Sequence, residues 1–430
     1  MGTGKHDEMN YRFQLQTMKQ PSSTTTKLQC IAMADALKPT EFLALVTPEA
    51  KTMWMREPSP YHDLKNDLRR VSPCTILRPV DIPKGSCDEE VWELFDILTI
   101  CLDEKDEVVL DITRGFRSQS MLVLMACVFL RVAKRITLKH VLYGAAEARD
   151  PEEGFVPIFD LSPFIYLINF VSDVEVFLGS GNKQPMSDSL KRVGKFRKKY
   201  DQLPFQQLCD YSDRLREFAT SYALAQPLKI VAGARKLGQL HSTTKIAEMT
   251  CDVHELRAYE LVLGRVQQHY EPISAQNEME CSVETLRAQY KLIQTYIRHG
   301  QELYAITLAR EWLVSLACYA AVEHHNHKVE RLTWPHRKTI EEELVNMHNG
   351  KQSSIEIFVH WNEDEALQRL GACYDKVRLL RNQTAHCGML DRGDDFTETS
   401  ISSLITSIRQ VCTGSLREVA MKYGVVAAIG

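Results

Sequence analysis

Near the C-terminal end, "LRNQTAHCG" sets Arg381, Asn382 and His386 within six residues of a helical pattern. At about 100° per residue, Asn382 and His386 share a helix face, whereas Arg381 and His386 lie roughly 140° apart. Asn382 could therefore orient the imidazole. A single straight helix does not easily bring Arg381 and His386 onto one atom, but two copies meeting across a two-fold axis could build one shared cleft, which predicts a homodimer. Such a cleft suits RNA, because the ribose 2′-hydroxyl is a nucleophile already tethered to its target. His386 would handle the proton and Arg381 the charge developing on the phosphorus, with no metal required. The spacing by itself identifies nothing, since Arg135/His140 and Arg331/His336 repeat it. "RITLKH" reads as a strand and Pro335 interrupts the other, so only the third pair sits in a helix. The plain alternative is a polar cluster on a helix surface.

A second constellation lies in "VVLDITRGFRSQSMLVLMACVFLRVAK". A strand ends at Asp111 to Thr113, Gly115 turns the chain, and a long helix begins. Ligands of open α/β sheets sit beyond the carboxyl ends of the strands, where helix N-termini offer N–H groups and positive dipole ends to anions. Arg114 and Arg117 oppose that dipole, so their presence suggests an anionic ligand, phosphate above all, that reverses the balance. Without a ligand the same residues read as a capped strand-turn-helix junction with its arginines in water. Gly2, Thr3 and Gly4 form a short glycine loop that could approach a phosphate, although such a loop normally follows an apolar strand and none precedes it here.

Weaker features complete the inventory. "KRVGKFRKKY", from Lys191 to Tyr200, interleaves basic residues with Phe196 and Tyr200; it fits a surface that follows a nucleic-acid backbone or, more plainly, a solvated basic helix face. "EHHNH" at 323–327 lies in one short polar stretch with no distant partner, and Cys251 with His254 is no stronger, so no metal is expected.

These residues need elements to hold them. Apolar runs at 41–47, 74–80, 107–113 and 136–143 read as strands, alternating with helix candidates near 26–37, 88–103 and 116–134. That is the order of an α/β domain with a mostly parallel sheet. "GSGNKQP" at 179–185 ends this pattern, and the rest is rich in helix formers with apolar residues three and four apart. The expected organisation is an α/β domain over 1–180, a helical linker region over 181–285 and a helical domain over 286–430. A net charge of −4 argues against coating nucleic acid by bulk electrostatics, so contacts must be local. The twelve cysteines show no CxxC pair and read as small buried hydrophobes. No signal-peptide pattern opens the chain and no run approaches the roughly 18–20 apolar residues of a membrane span, so a cytoplasmic location without membrane contact is expected.

Taken together, Gly2 to Gly4, Asp111 to Arg117 and the Arg381–Asn382–His386 set resemble the CRISPR-associated ribonucleases that join an N-terminal CARF sensor to a C-terminal HEPN nuclease. That family's sensor carries a Gly-Thr-Gly loop and a D-I-T-H-G-F-R strand-loop, with Arg114 standing here in place of its histidine. The similarity extends to "FLALVTPEAK", "WELFD", "YGAAEA" and "PIFDLSPFIYLINFV"; in the helical half it rests on the short motif and on "LAREWL", with Glu311. The resemblance implies a Rossmann-like sensor binding cyclic oligoadenylate through Gly2, Thr3, Gly4, Asp111, Thr113, Arg114, Gly115 and Arg117. It further implies a dimeric, metal-independent endoribonuclease of type III CRISPR defence that cuts single-stranded RNA with low selectivity through Arg381, Asn382 and His386, with no cofactor. A non-catalytic sensor or regulatory module that dimerises through its helical half is the alternative. A dinucleotide oxidoreductase is disfavoured, since no complete GxGxxG follows a first strand.

Overall fold

The computed structural model describes residues 8–13, 15, 20–54, 56, 59–180, 186, 188–190, 203–243, 254–325, 334–349, 351, 359, 363–385 and 398–427. The chain divides into two compact units, Met1–Tyr166 and Leu167–Gly430.

The first unit is α/β. It runs β1 (Met9–Phe13), β2 (Ser22–Thr26), α1 (Gln29–Leu37), β3 (Glu41–Val46), α2 (Pro48–Trp54), α3 (Pro60–Val71), β4 (Ile76–Asp81), α4 (Asp88–Cys101), β5 (Glu107–Asp111), α5 (Arg117–Ala133), β6 (Thr137–Gly144) and β7 (Phe155–Asp160). The four strands expected from apolar runs are present as β3, β4, β5 and β6. Three others, β1, β2 and β7, were not foreseen.

The expected mostly parallel arrangement is present in mixed form, with three of the five strand pairings parallel. Five strands pair in the order β2-β1-β7-β6-β5, and β3 pairs with β4 separately. β1/β7, β5/β6 and β3/β4 are parallel, but β1/β2 and β6/β7 are antiparallel. The reason lies in connection length. Only short segments join β1 to β2 and β6 to β7, and a parallel pair needs a crossover of a dozen or more residues. Among the described residues no strand bridges the β3–β4 pair to β5, although Leu43, Leu45 and Val80 pack on the same apolar cluster as Val108 and Leu110.

Local chemistry explains the helices that frame the site. α3 starts at Pro60, with Ser59 Oγ accepting from the His62 amide, a cap that satisfies an otherwise orphaned donor. Asp88, Glu89 and Glu90 open α4, where negative charge complements the helix dipole. Leu94 and Leu98 of α4 and Val123, Ala126, Cys127 and Leu130 of α5 are buried with Leu138 and Val141 of β6, which fixes α5 against the sheet.

Helix α6 (Ser162–Ser180) begins in the first unit and continues into the second. By length and composition this 19-residue helix could cross a membrane, so the expectation that no segment approaches a span does not hold. One face of it packs into a folded core, while Phe164, Ile168 and Val176 are exposed. Phe170, Val174 and Phe177 are buried among helices, and its last carbonyls are taken by side chains: Phe177 O by Tyr270 Oη (3.5 Å), Leu178 O by His299 Nε2 (3.0 Å) and Ser180 O by Gln301 Nε2 (3.0 Å).

The second unit is helical: α7 (Leu203–Ala223), α8 (Pro227–Thr243), α9 (His254–Tyr270), α10 (Val283–Arg298), α11 (Glu302–His325), α12 (Trp334–His348), α13 (Glu365–Ala385), α14 (Glu398–Gln410) and α15 (Leu416–Lys422). A π-helical turn, Val411–Ser415, joins α14 to α15, and Gln294 Nε2 donates to Cys412 O within it at 2.7 Å. One continuous core holds Tyr211, Ile230 and Tyr259 together with Trp312, Leu370 and Val411. The helices of the expected linker region thus share their core with those of the C-terminal region. The cysteines of the described residues are all free, with Cys30, Cys127, Cys318, Cys373 and Cys412 buried.

Candidate functional site

The α/β unit gathers its polar residues where β5 and β6 end. Asp111 closes β5, and its Oδ1 accepts the Thr113 amide at 2.9 Å, the local turn that aspartate side chains favour. Thr113 Oγ1 in turn accepts the Gly144 amide at 2.8 Å, tying the loop to the end of β6. Gly115 follows at φ +114°, a conformation that side chains with a Cβ rarely adopt. The chain can then enter α5 at once. Gln119 locks that entry: its Oε1 accepts from the Phe116 amide at 3.4 Å, and its Nε2 donates to Lys84 O at 2.9 Å.

Two residues from the N-terminal region complete the cluster. Gln29, the first residue of α1, is 2% exposed. Its Nε2 donates to Asp111 Oδ2 at 3.4 Å and its Oε1 accepts from Arg114 Nε at 2.8 Å. Buried Tyr11 of β1 accepts a hydrogen bond from Arg114.

Burial pushes the Asp111 carboxyl above its ordinary pKa, against the hydrogen bonds from Thr113 and Gln29 and the charge of Arg114, which pull it down. Burial also pushes Cys30, reinforced by the Asp111 charge, up to about 12. That thiol is a packing residue, not a nucleophile.

Arg117 is exposed at the first position of α5. Its charge acts on Tyr143, whose hydroxyl donates to Glu147 Oε1 at 2.6 Å. Arg114 and Arg117 thus stand at one helix N-terminus, the first half-buried and braced, the second in solvent.

Of the residues predicted for this site, the structure brings Asp111, Thr113, Arg114, Gly115 and Arg117 together; Gly2, Thr3 and Gly4 lie outside the described residues. Asp111 and Thr113 turn inward and hold the loop. Sequence reasoning missed Tyr11, Gln29 and Gly144. Their separation along the chain gave no signal, although the quoted "YGAAEA" contains Gly144.

In the helical unit, Arg381 and Asn382 occupy the last turns of α13, and His386 lies just beyond the described residues. Leu367, Leu370, Cys373, Tyr374 and Val377 bury the helix face that leads to Arg381. Arg381 is half-buried; its Nη1 donates to Asn382 Oδ1 at 3.3 Å, while its Nε is buried with no hydrogen-bond partner among the described residues. Asn382, expected to orient the imidazole, here engages the guanidinium.

Glu311 of α11 is held by Arg310 (2.6 Å) and by Arg337 of α12 (2.7 Å), and Arg310 also pairs with Glu341. These four residues, with Lys338 and Glu342, line a cavity of about 520 Å³ whose charges balance. The basic stretch 191–200, Cys251 and residues 326–327 of "EHHNH" lie outside the described residues. Among the described residues no cluster of His, Cys, Asp and Glu is arranged to hold a metal ion.

Comparison with known proteins bears on this arrangement. A stretch of 127 residues is 31% identical to the CRISPR-associated protein MJ1674 of Methanocaldococcus jannaschii, covering 29% of this chain and 19% of that relative. The chain spans about a fifth of the length of the curated relative it matches, and no family model matches it. A solved structure of Enterococcus italicus Csm6 bound to cyclic hexa-2'-fluoro-hexa-dAMP aligns over 91% of both chains, at 9% identity and a TM-score of 0.42, a likeness too weak to carry a property across.

Proposed function

We propose that this chain is a CRISPR-associated protein: a cytoplasmic, cyclic-oligoadenylate-activated, metal-independent endoribonuclease of type III CRISPR defence. The observation that carries the reading is the loop at the end of β5, where Arg114 and Arg117 stand together at the N-terminus of α5. Cations gathered at the positive end of a helix gain from an anionic ligand, and the phosphates of a cyclic oligonucleotide supply one. The residues that build the loop are those of the sensor motif the sequence resembles.

Cleavage falls to Arg381, Asn382 and His386. The 2′-hydroxyl attacks the adjacent phosphorus and the P–O5′ bond breaks, leaving a 2′,3′-cyclic phosphate; His386 moves the proton lost by the 2′-hydroxyl toward the departing 5′-oxygen, and Arg381 offsets the charge developing on the phosphorus. Asn382, hydrogen-bonded to Arg381, sets the guanidinium.

A homodimer fits the surface as well. Met121, Met125, Val128, Phe129 and Val132 form an exposed apolar stripe along α5. Contacts from Phe129 to Phe95 and from Phe95 to Trp92 extend that stripe onto α4. A monomer seldom leaves such a contiguous stripe in water.

The test is a labelled single-stranded RNA incubated with the protein and a chelator, with cyclic oligoadenylates of different ring sizes added in turn. One ring size should switch on cleavage, and Arg381→Ala and His386→Ala should abolish it while leaving activator binding intact. Binding without cleavage would place the chain among non-catalytic sensors, and absence of both would overturn the reading.

A further inference from the structure

We propose that Gln29 is the positioning residue of the sensor loop, bridging the Asp111 carboxylate to the Arg114 guanidinium so that the cation faces an incoming phosphate instead of collapsing onto the buried anion. The inference rests on reading this loop as the site of the anionic activator, and it adds a residue from a different part of the chain.

The geometry carries it. Gln29 is buried and touches both charged groups, donating through Nε2 to Asp111 Oδ2 (3.4 Å) and accepting through Oε1 from Arg114 Nε (2.8 Å). A carboxylate is acceptor-only and a guanidinium donor-only, so the two partners dictate the amide's orientation. No other uncharged side chain of this length could satisfy both at once. Glutamate would lose the donor toward Asp111 and set two carboxylates side by side. Lysine would lose the acceptor and repel Arg114.

Packing keeps the amide where it is. Gly144 lies so close that a Cβ there would stand 3.1 Å from both Cβ and Cγ of Gln29. The side chain has little room to swing away. Arg114 is further steadied by Tyr11, so β1, α1 and the β5–α5 loop converge on one guanidinium. Its Coulomb attraction to Asp111 persists through the bridge. A direct Asp111–Arg114 pair would satisfy the carboxylate with the very charge that the phosphate must find.

The experiment compares Gln29→Met, which keeps length and burial, with Gln29→Glu, which keeps the acceptor. Two readouts are taken on the full-length protein: affinity for the cyclic oligoadenylate that activates RNA cleavage, and solvent exchange of the Arg114 Nε–H by NMR of 15N-arginine-labelled protein, assigned with Arg114→Lys. Gln29→Met should lose Nε–H protection and weaken activator binding roughly tenfold or more, the scale of a lost hydrogen bond to a charged group. Gln29→Glu should keep the protection yet weaken binding, since its carboxylate neutralises the cation. A structural role in packing alone would not separate the two variants in this way.

Combined with Arg114→Ala, neither substitution should weaken binding further. Unchanged Arg114 Nε–H exchange in Gln29→Met would overturn the proposal, as would wild-type affinity in both variants. If the parent binds no cyclic oligoadenylate but Gln29→Met still exposes the Arg114 Nε–H, the bridge stands and the activator reading falls.

Discussion

Gly115 is the hinge on which the sensor loop turns, and replacing it with alanine tests the loop directly. At φ +114° the backbone is strained for any residue with a Cβ, while the nearest atom to an added Cβ, Gln119 Oε1, is 3.4 Å away. The cost is therefore backbone strain and not collision. Such strain is worth about 1–3 kcal/mol, and the loss of unfolded-state freedom returns roughly 0.4–1 kcal/mol of it. A net loss of about 1–2 kcal/mol should lower the melting transition of a unit this size by roughly 2–8 °C.

Calorimetry of the full chain, run beside an activator-binding titration, distinguishes two outcomes. If the loop keeps its shape, stability falls and affinity holds. If the loop relaxes to relieve φ, stability recovers, Arg114 leaves Gln29 and affinity falls. Either confirms the strained turn. A variant with both unchanged melting and unchanged affinity would refute it.

Other expectations can be checked in the same preparations. On α8, an added Cβ at Gly238 meets nothing within 4 Å, whereas one at Gly233 stands 3.0 Å from Phe218 Cδ2 in the core. Gly238→Ala should stabilise by about 0.5–1 kcal/mol and Gly233→Ala should destabilise by about 1–3 kcal/mol in urea unfolding; equal effects would contradict this packing. Trp312 is fully buried and donates to Leu286 O at 2.8 Å, so Trp312→Phe should cost about 2–3 kcal/mol in the same assay, and a loss near zero would count against that contact. Asp111 has a folded-state pKa raised by burial. Its contribution to stability is fully present below the unfolded value near 3.9 and is lost as pH rises through the folded pKa. Asp111→Asn should remove that decline, and parallel stability–pH curves for parent and variant over the acidic range would exclude it.

The strands β3, β4, β5 and β6 were legible because short apolar runs between helical patterns read as strands, although β4 and β5 hold no fully buried residue. β2 was not, because "SSTTT" carries no apolar residue to set a period and forms only by pairing with β1. Part of it lies where the sequence suggested a helix from residue 26. β7 hid behind Pro157, which usually argues against a central strand.

The sensor loop could be read from Asp111 to Arg117 because glycine, cap and helix are contiguous in the chain. Gln29 could not. A glutamine opening a helix is ordinary, and its two partners lie 82 and 85 residues away. Arg381 continues the line of buried Leu370, Tyr374 and Val377 on α13 and is half-buried there. Which neighbour Asn382 would choose depended on a competition for its oxygen that sequence alone does not settle, and the guanidinium one residue away takes it.

The π-helical turn at Val411–Ser415 carries one more residue than an α-helical turn would need. Everything after it is rotated about 100° from where an unbroken helix would point, and it is in that rotated setting that Leu416, Val419 and Ala420 are buried. A deletion of Gly414 alone would mend the helix and leave these side chains facing the core, because it removes the one extra residue that the turn absorbs. Regular α-helical geometry with every residue kept would turn that face off the core, so the single-residue excess, held in one turn, is what seats the C-terminal helix.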